Sequence, residues 1–538
     1  MKPAYLLYLS LFSGLLLGVS WFPGFTFLIF FSFVPFLFVL NNLEGNEGKK
    51  LNRFKKISIL FSGFLVWNLI STWWVFNASP TAIIAFLLNS LLMTFTLLFA
   101  NKLRRKLNYK NSAYFIILPI WLSFEYLYQQ TDLSWSWLNL GNVLAFQPSW
   151  AQWYEFTGNS GGTAWILALN VIAFLILKFK INHQSWNKKL IYIGAITLCL
   201  PLTISYYLKF TSLERLSSFN LKEQSCIVVQ PNIDPYNEKF VFGMKHQLEK
   251  FKNSLNRLNS TVIQSADYIV LPETFLAQEL WEHQLDSSLE VAQLKSNLIN
   301  SKTKIVCGAT TIKAYEFEAT SSARKFSDGP GYYDFFNSAL QIDASGKTQV
   351  YHKSKLVPGV ETMPFAWLLK PLENFALQLG GTFGSLGKQN DRSNFFDKNN
   401  AIKVAPVICY ESIFSEYVID YIKNGANFIA IITNDGWWGD TPGYKQHLAY
   451  AKLRAIETRK PVIRSANTGV SCFINTIGET SQETEYWKEA AIFCKIQPNT
   501  YQTVFVQFGD LISKSSLLIT LFLIAYPIFM RVKKGSKK

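Results

Sequence analysis

The chain has 538 residues, 49% of them hydrophobic and 16% aromatic, and a formal charge of +16. This length allows more than one structural unit, and the crowding of apolar residues into the first 210 positions and the last 28 excludes a single soluble domain. The positive charge sits mostly in short segments between apolar runs, so it is not the footprint of a nucleic-acid binder, and no nucleic-acid partner is expected.

In chain order, apolar runs occupy 4–21, 25–41, 58–77, 81–100, 112–129, 162–178 and 190–208, with another at 513–530. Each approaches the ~20 residues that a helix needs to cross the hydrocarbon layer. Trp21-Phe22-Pro23-Gly24 is not a small-residue cleavage site and a second run follows at once, so the first run is expected to remain as an anchor. Basic clusters fall at 49–56 (Lys49, Lys50, Arg53, Lys55, Lys56), 102–110 (Lys102, Arg104, Arg105, Lys106, Lys110), 178–189 (Lys178, Lys180, Lys188, Lys189) and 531–538, with Lys2 before the first run. Lys and Arg near span ends mark the cytoplasmic side. Alternating from a cytoplasmic N-terminus puts every cluster inside and the long stretch 209–512 outside. The expected division is a seven-span domain over 1–208, an outer domain over 209–512, and an eighth span with a basic tail over 513–538. The spans themselves lack the charge networks of an ion pathway.

From about 220 the pattern changes to short β-rich runs separated by polar, helix-compatible stretches. The runs are CIVVQPNI (226–233), YIVLPET (268–274), KIVCGATT (304–311), KVAPVICYE (403–411), FIAIITND (428–435) and PVIRSANTG (461–469). Unbroken Val and Ile content predicts strands buried on both faces, and 242–266 and 440–460 are long enough for helices, so the fold class is α/β. Segment 334–357 reads as two strands joined at Ala344-Ser345-Gly346.

Chemistry-bearing side chains stand where these runs end. Glu273 follows the second run, Lys353 closes the hairpin, and Cys409 lies between a strand and a predicted helix. Residues at the carboxyl ends of buried strands point into the crevice where α/β folds bind ligands, and amides at a helix terminus would favour a thiolate at Cys409. Cys199 falls in a span, which leaves the odd number of five cysteines outside, so one thiol stays unpaired even if two disulfides form. Cys226 and Cys307 sit in apolar runs and are expected to be inert. The five histidines have no metal-ligand spacing, and neither Gly346-Lys347 nor Gly387-Lys388 has the earlier glycine of a phosphate loop, so no metal, nucleotide or other cofactor is expected.

LPET around Glu273, YHKSKLVPGVE from Tyr351 to Glu361, and ICYES from Ile408 to Ser412 resemble the nitrilase, or carbon–nitrogen hydrolase, superfamily in composition and order. Seven preceding spans and one trailing span, WLNLGN (137–142), Gln152, EFTG (155–158), QPNI (230–233), NDGWWGDTPGYKQH (434–447) and RSANTG (464–469) resemble the apolipoprotein N-acyltransferases within it. One departure stands out: the family's LVPFGE is Leu356-Val-Pro-Gly-Val-Glu361 here, with the spacing from Lys353 to Glu361 kept.

The resemblance implies an αββα sandwich inserted between the last two of eight transmembrane helices. It also implies Glu273 as proton acceptor, Lys353 as oxyanion stabiliser and Cys409 as nucleophile, with Glu361, Glu411 and Tyr410 in support. Phe240, Trp367, Trp437 and Trp438 are the candidates for a substrate pocket or lid, and apolar segment 362–388 is a candidate lid or membrane-surface arm. The implied activity moves an acyl chain from a membrane phospholipid, through a Cys409 thioester, to the α-amine of a diacylglyceryl apolipoprotein. The enzyme would be a monomer of the bacterial inner membrane with both termini cytoplasmic and the catalytic domain periplasmic. The alternative is a membrane-anchored carbon–nitrogen hydrolase of a small amide or nitrile, for which one span would suffice.

Overall fold

The computed structural model describes residues 2–43, 51–106, 111–239, 241–296, 298, 302–344, 347–363, 385–397 and 400–535. The chain forms two compact units. One comprises Met1–Phe76, Thr81–Lys209 and Phe508–Lys538, and the other Asn77–Pro80 and Phe210–Gln507.

In the first unit, five helices among the described residues are long and apolar enough to cross a membrane: Pro3–Ser20, Arg53–Thr72, Ala82–Lys106, Tyr154–His183 and Lys188–Ser217. Two of the remaining predicted runs are divided. Run 25–41 splits into a 3-10 turn, Thr26–Phe30, and an α-helix, Val34–Asn42, with Pro35 in its first turn. Proline has no N–H to donate, so it opens a helix more readily than it continues one. Run 112–129 divides in the same way into Asn111–Ile116 and Ile117–Tyr128, and the last run is helix Leu511–Gly535. Gly158, at φ 63°, kinks the helix Tyr154–His183.

Helices Pro3–Ser20 and Arg53–Thr72 meet where a β-carbon on Gly14 would strike the Gly63 carbonyl oxygen, and Ser10 Oγ donates to Ile59 O at 2.5 Å. Small residues allow this approach, as is usual between helices in lipid. Helix Lys188–Ser217 is left almost uncovered by protein along its apolar stretch. Glu125 on Ile117–Tyr128 is buried, at 5% exposed. Its oxygens accept from Trp121 Nε1 (3.0 Å), Leu140 N (2.8 Å) and Thr163 Oγ1 (2.8 Å), so the carboxyl staples the WLNLGN segment to two helices.

The second unit holds two sheets. The first contains β1 (Gln224–Gln230), β2 (Tyr268–Val270), β3 (Leu276–Trp281), β4 (Lys304–Tyr315), β5 (Arg324–Lys325), β6 (Tyr332–Asp343), β7 (Gln349–His352) and β14 (Ala490–Ile496). The second contains β8 (Phe395–Asp397), β9 (Asn400–Ile408), β10 (Phe428–Thr433), β11 (Val462–Ala466), β12 (Cys472–Ile474) and β13 (Thr480–Ser481). β1, β2 and β4 run parallel, as do β9, β10 and β11, and these carry the apolar runs. The flanking pairs, β14 on β1 and β12 on β11, are antiparallel.

The sheets pack face to face. Tyr268 meets Phe428 edge-on at 5.2 Å, and Ser465 Oγ donates to Val229 O at 3.0 Å. Helix Met244–Leu255 packs Leu248, Phe251 and Leu255 on the outer side of the first sheet, while Ser415–Lys423 and Pro442–Thr458 flank the second. The order of layers is α, β, β, α. Both β2 and β9 end at the same edge of this sandwich, which brings their following residues together.

Candidate active site

Glu273 leaves β2 through Leu271-Pro272, and both steps are pinned to β4: Leu271 N donates to Val306 O at 2.8 Å, and Gly308 N to Pro272 O at 3.0 Å. Its side chain is buried. Oε1 accepts from Asn337 Nδ2 at 2.8 Å and Lys353 Nζ at 3.1 Å, and Oε2 accepts from Asn434 N at 3.1 Å.

Lys353 follows β7 directly, with its backbone N–H on Asn337 O at 2.8 Å. Its Nζ bridges Glu273 and Glu361, the second at 2.9 Å, and the residue is 1% exposed. Glu361 is held in turn by Asn337 Nδ2 (2.8 Å) and Val357 N (2.8 Å). The changed Pro-Gly-Val sequence therefore still delivers its carboxylate to Lys353, and Gly359, at φ 78°, makes the turn.

Cys409 follows β9 and is half-buried, at φ 47°. A 3-10 turn, Cys409–Ile413, separates it from helix Ser415–Lys423. The Cys409 carbonyl oxygen accepts from Ser412 Oγ at 2.7 Å. Its thiol hydrogen-bonds Thr433 and feels the charges of Glu273, Lys353 and Asp435.

Electrostatics decide the resting protonation. Burial would raise the Glu273 carboxyl, but Lys353, Asn337 and Lys239 outweigh it and hold it below the usual range. Burial would lower Lys353, yet Glu273, Glu361 and Cys409 keep its ammonium well above its usual value. At Cys409 burial comes first and the Glu273 charge adds to it, so the thiol is pushed up despite Lys353. The thiolate-favouring effect expected of helix amides is thus outweighed by desolvation and the adjacent carboxylate.

Glu411 is buried and saturated. Oε1 accepts from Tyr351 OH (2.7 Å), Tyr417 OH (2.6 Å) and Ser354 N (2.7 Å), and Oε2 from Ile408 N (2.8 Å). It thus braces Cys409 and the segment after Lys353, without a direct bond to either side chain among the described contacts. Tyr410 is buried with its ring edge-on to Phe414 at 5.2 Å. Trp437 meets Tyr236 edge-on at 5.0 Å, and Trp438 meets His447 at 5.6 Å, both half-buried. Phe240, Trp367 and most of the 362–388 segment lie outside the described residues.

Other partners carry no sequence signal as a group. Asp435 Oδ1 meets His447 Nδ1 at 2.9 Å and Thr433 Oγ1 at 2.8 Å, and Oδ2 meets Arg464 NH2 at 2.5 Å. His447 Nε2 faces Ser412 Oγ at 2.9 Å and the Cys409 carbonyl at 3.2 Å. This buried network meets the carbonyl of the nucleophile's peptide through His447 and Ser412. Asn337 and Lys239 join the cluster from outside the signature runs, and Asn434 joins it from the NDGWWGDTPGYKQH run.

The family model for carbon–nitrogen hydrolases matches residues 228–504, and that for the apolipoprotein N-acyltransferase N-terminal domain matches 13–172. The chain belongs to the carbon–nitrogen hydrolase family, among its apolipoprotein N-acyltransferases. It is 27% identical over 521 residues to the apolipoprotein N-acyltransferase of Chlorobaculum tepidum, covering 94% of this chain and 93% of that protein. The enzyme of the same name from Haemophilus influenzae is 26% identical over 436 residues, covering 79% and 76%. A solved CN-hydrolase superfamily protein from Xanthomonas campestris matches 51% of this chain and 91% of that one at 16% identity, with a TM-score of 0.34.

Proposed function

We propose that this enzyme transfers an acyl chain from a membrane phospholipid to the N-terminal α-amine of a diacylglyceryl apolipoprotein, with Glu273, Lys353 and Cys409 as its reacting groups. The observation that carries this reading is the buried cluster of Glu273, Lys353 and Glu361 beside Cys409, in a chain whose other unit is built of apolar helices.

Cys409 rests as a thiol, so its proton has to leave as sulfur attacks. Glu273, ionised and within the same cluster, takes that proton while the sulfur bonds to the ester carbonyl carbon. Two of the three Lys353 N–H donors meet carboxylates, and the third serves the developing oxyanion together with a backbone amide after Cys409. When the C–O bond breaks, the proton on Glu273 passes to the leaving lysophospholipid oxygen and a thioester remains on Cys409. In the second half the α-amine bonds to the thioester carbon and gives a proton to Glu273. The C–S bond then breaks, the sulfur regains its proton, and the product is an amide.

Sequence charge supports an eight-span arrangement with 209–512 on the periplasmic side and both termini cytoplasmic. There the donor ester and the lipoprotein acceptor share one leaflet, and the protein works as a monomer. The test is incubation of the purified protein with labelled phospholipid, followed by mass spectrometry for an acyl adduct on Cys409. Wild type should carry the adduct and pass it to a diacylglyceryl lipopeptide, whereas Cys409→Ser should carry no thioester. Release of free fatty acid as fast as donor is consumed, with no transfer to the lipopeptide, would instead favour a hydrolase.

A further inference from the structure

Lys239 lies on the loop that leaves β1 through the QPNI run, and it is 4% exposed. A buried ammonium is costly unless acceptors meet its protons. Here Nζ donates to the Glu273 carbonyl oxygen at 3.2 Å and to the Thr274 hydroxyl. The loop is closed around it by Lys239 N on Asp234 O at 2.9 Å and by Gln247 Nε2 on Lys239 O at 3.4 Å. Both ends of the side chain are therefore fixed.

The peptide it grips is a strained one. Thr274 has φ 46°, a left-handed value that β-branched residues rarely adopt. On its other side the chain comes so close to Gly308 that an added β-carbon would fall 2.6 Å from the Glu273 Cα. Nothing larger than glycine fits there, so the Glu273–Thr274 peptide is held between a bare backbone and the Lys239 ammonium.

We propose that Lys239 is a positioning residue of this active site, clamping the Glu273–Thr274 peptide and placing a second positive charge beside the Glu273 carboxylate. This rests on Glu273 acting as the proton acceptor. While the Lys353 ammonium serves the oxyanion, Lys239 keeps the carboxylate ionised and aimed. Burial pulls the Lys239 ammonium down to about 8, against Glu273 and Cys409, which hold it up. The other charged and titratable groups around this point are Lys353 after β7, Glu361 on the following loop, Cys409 after β9, and Asp435 after β10 with its partners Arg464 and His447.

The experiment follows Cys409 thioester formation against pH in full-length protein with labelled phospholipid, for wild type, Lys239→Met, Lys239→Gln and Lys239→Arg. Removing a cation that lowers the Glu273 carboxyl raises it, so the acidic limb of Lys239→Met should move up by about one pH unit. Its rate at pH 7 should fall by about tenfold or more, as misplacement of a reacting group does. Lys239→Gln keeps a donor for the Glu273 carbonyl without the charge, and should show the shifted limb even if Lys239→Met folds poorly. Lys239→Arg should keep the wild-type limb. A neutral variant that loses rate while its limb stays with wild type would overturn the proposal and leave Lys239 a packing residue. Failure of wild type itself to form a thioester would instead overturn the acyl-transfer reading.

Discussion

Tyr351 donates its hydroxyl hydrogen to Glu411 at 2.7 Å, and this single bond joins the strand before Lys353 to the turn after Cys409. Tyr351 lies in β7 of the first sheet and Glu411 in the turn that follows β9 of the second, so Glu411 ties the segment carrying Lys353 to the turn carrying Cys409. Hydrogen bonds to a charged group are worth about 1.5–3 kcal/mol each, and an unmet buried donor costs about 1–3 kcal/mol. Glu411→Gln turns an NH2 group towards donors on one side, so it should destabilise the protein by about 3 kcal/mol and depress thioester formation. Tyr351→Phe removes one bond and should cost about half as much. Thermal unfolding in detergent, set beside the acylation rate, measures both. Unchanged melting of Glu411→Gln would refute the bracing role.

The two half-reactions should part company in pH. Glu273 sits below its ordinary 4.5, so it is ionised throughout the neutral range. Thioester formation should then be nearly flat from pH 5.5 to 7.5. Transfer to a lipopeptide should rise with pH over that range, because a free α-amine has a pKa of about 7.7–8.0 and must lose its proton to attack. Rapid-quench measurement of each step with a preformed acyl-enzyme separates them. An acylation step that collapsed between pH 7.5 and 6 would contradict the depressed carboxyl.

Lys353→Met should separate stabilisation of the transition state from binding. The Glu273 and Glu361 carboxylates lose the ammonium between them, and the oxyanion loses a donor of the kind worth about 2.7–4 kcal/mol of barrier. A fall of about 100- to 1,000-fold in acylation rate is expected, with phospholipid binding much less affected. The KM and kcat of the variant, taken separately, decide this. A rise in KM alone would assign Lys353 to substrate binding.

What the sequence made legible follows from burial. The parallel strands β1, β9, β10 and β11 are covered on both faces and read as unbroken apolar runs. β14 is half-exposed along most of its length and carries Cys494 and Lys495, so its pattern gave no such signal. Glu273 and Cys409 were visible because each directly follows a strand-like run. Lys239 was not, since its partner is a backbone carbonyl that only the fold brings near. Asp435, His447 and Arg464 lie in recognisable runs, but their pairing spans separations of up to 29 residues and no local rule predicts it. In the other unit hydropathy located the apolar runs but was blind to the 3-10 turns at Thr26–Phe30 and Asn111–Ile116, because helix type does not alter composition.

Gly308 tests how closely Glu273 is seated. It lies within β4 with no side chain, and the Glu273–Thr274 peptide crosses over it. Gly308→Ala has to push that peptide away, and because Thr274 is already left-handed the chain has little freedom to yield. The variant should lose acylation activity by about 100-fold, in keeping with a displacement near 1 Å at a reacting group. The sheet around it should remain folded. Activity and melting temperature measured together check this, and a fully active Gly308→Ala would show that Glu273 tolerates movement.

Asp435→Asn addresses the network behind Cys409. Asp435 pairs with the buried Arg464 and His447, and burial, which alone would raise its carboxyl, is overcome by Arg464 and then His447, so it lies well below 3.8. Replacing it leaves the Arg464 guanidinium buried without its counterion, a loss of about 3–5 kcal/mol. The folded-state pKa is depressed, so the contribution is fully present above the unfolded value, about 3.9, and is lost as pH falls through the folded one. The stability gap between wild type and Asp435→Asn should therefore stay constant from pH 8 to 5 and begin to close only below about pH 4. Denaturant unfolding across that range measures the gap. A gap that shrank already between pH 7 and 5 would mean that a different group carries the linkage. Because the same network holds the Cys409 peptide through His447 and Ser412, the variant should also lose acylation rate at pH 7 beyond what its unfolded fraction explains.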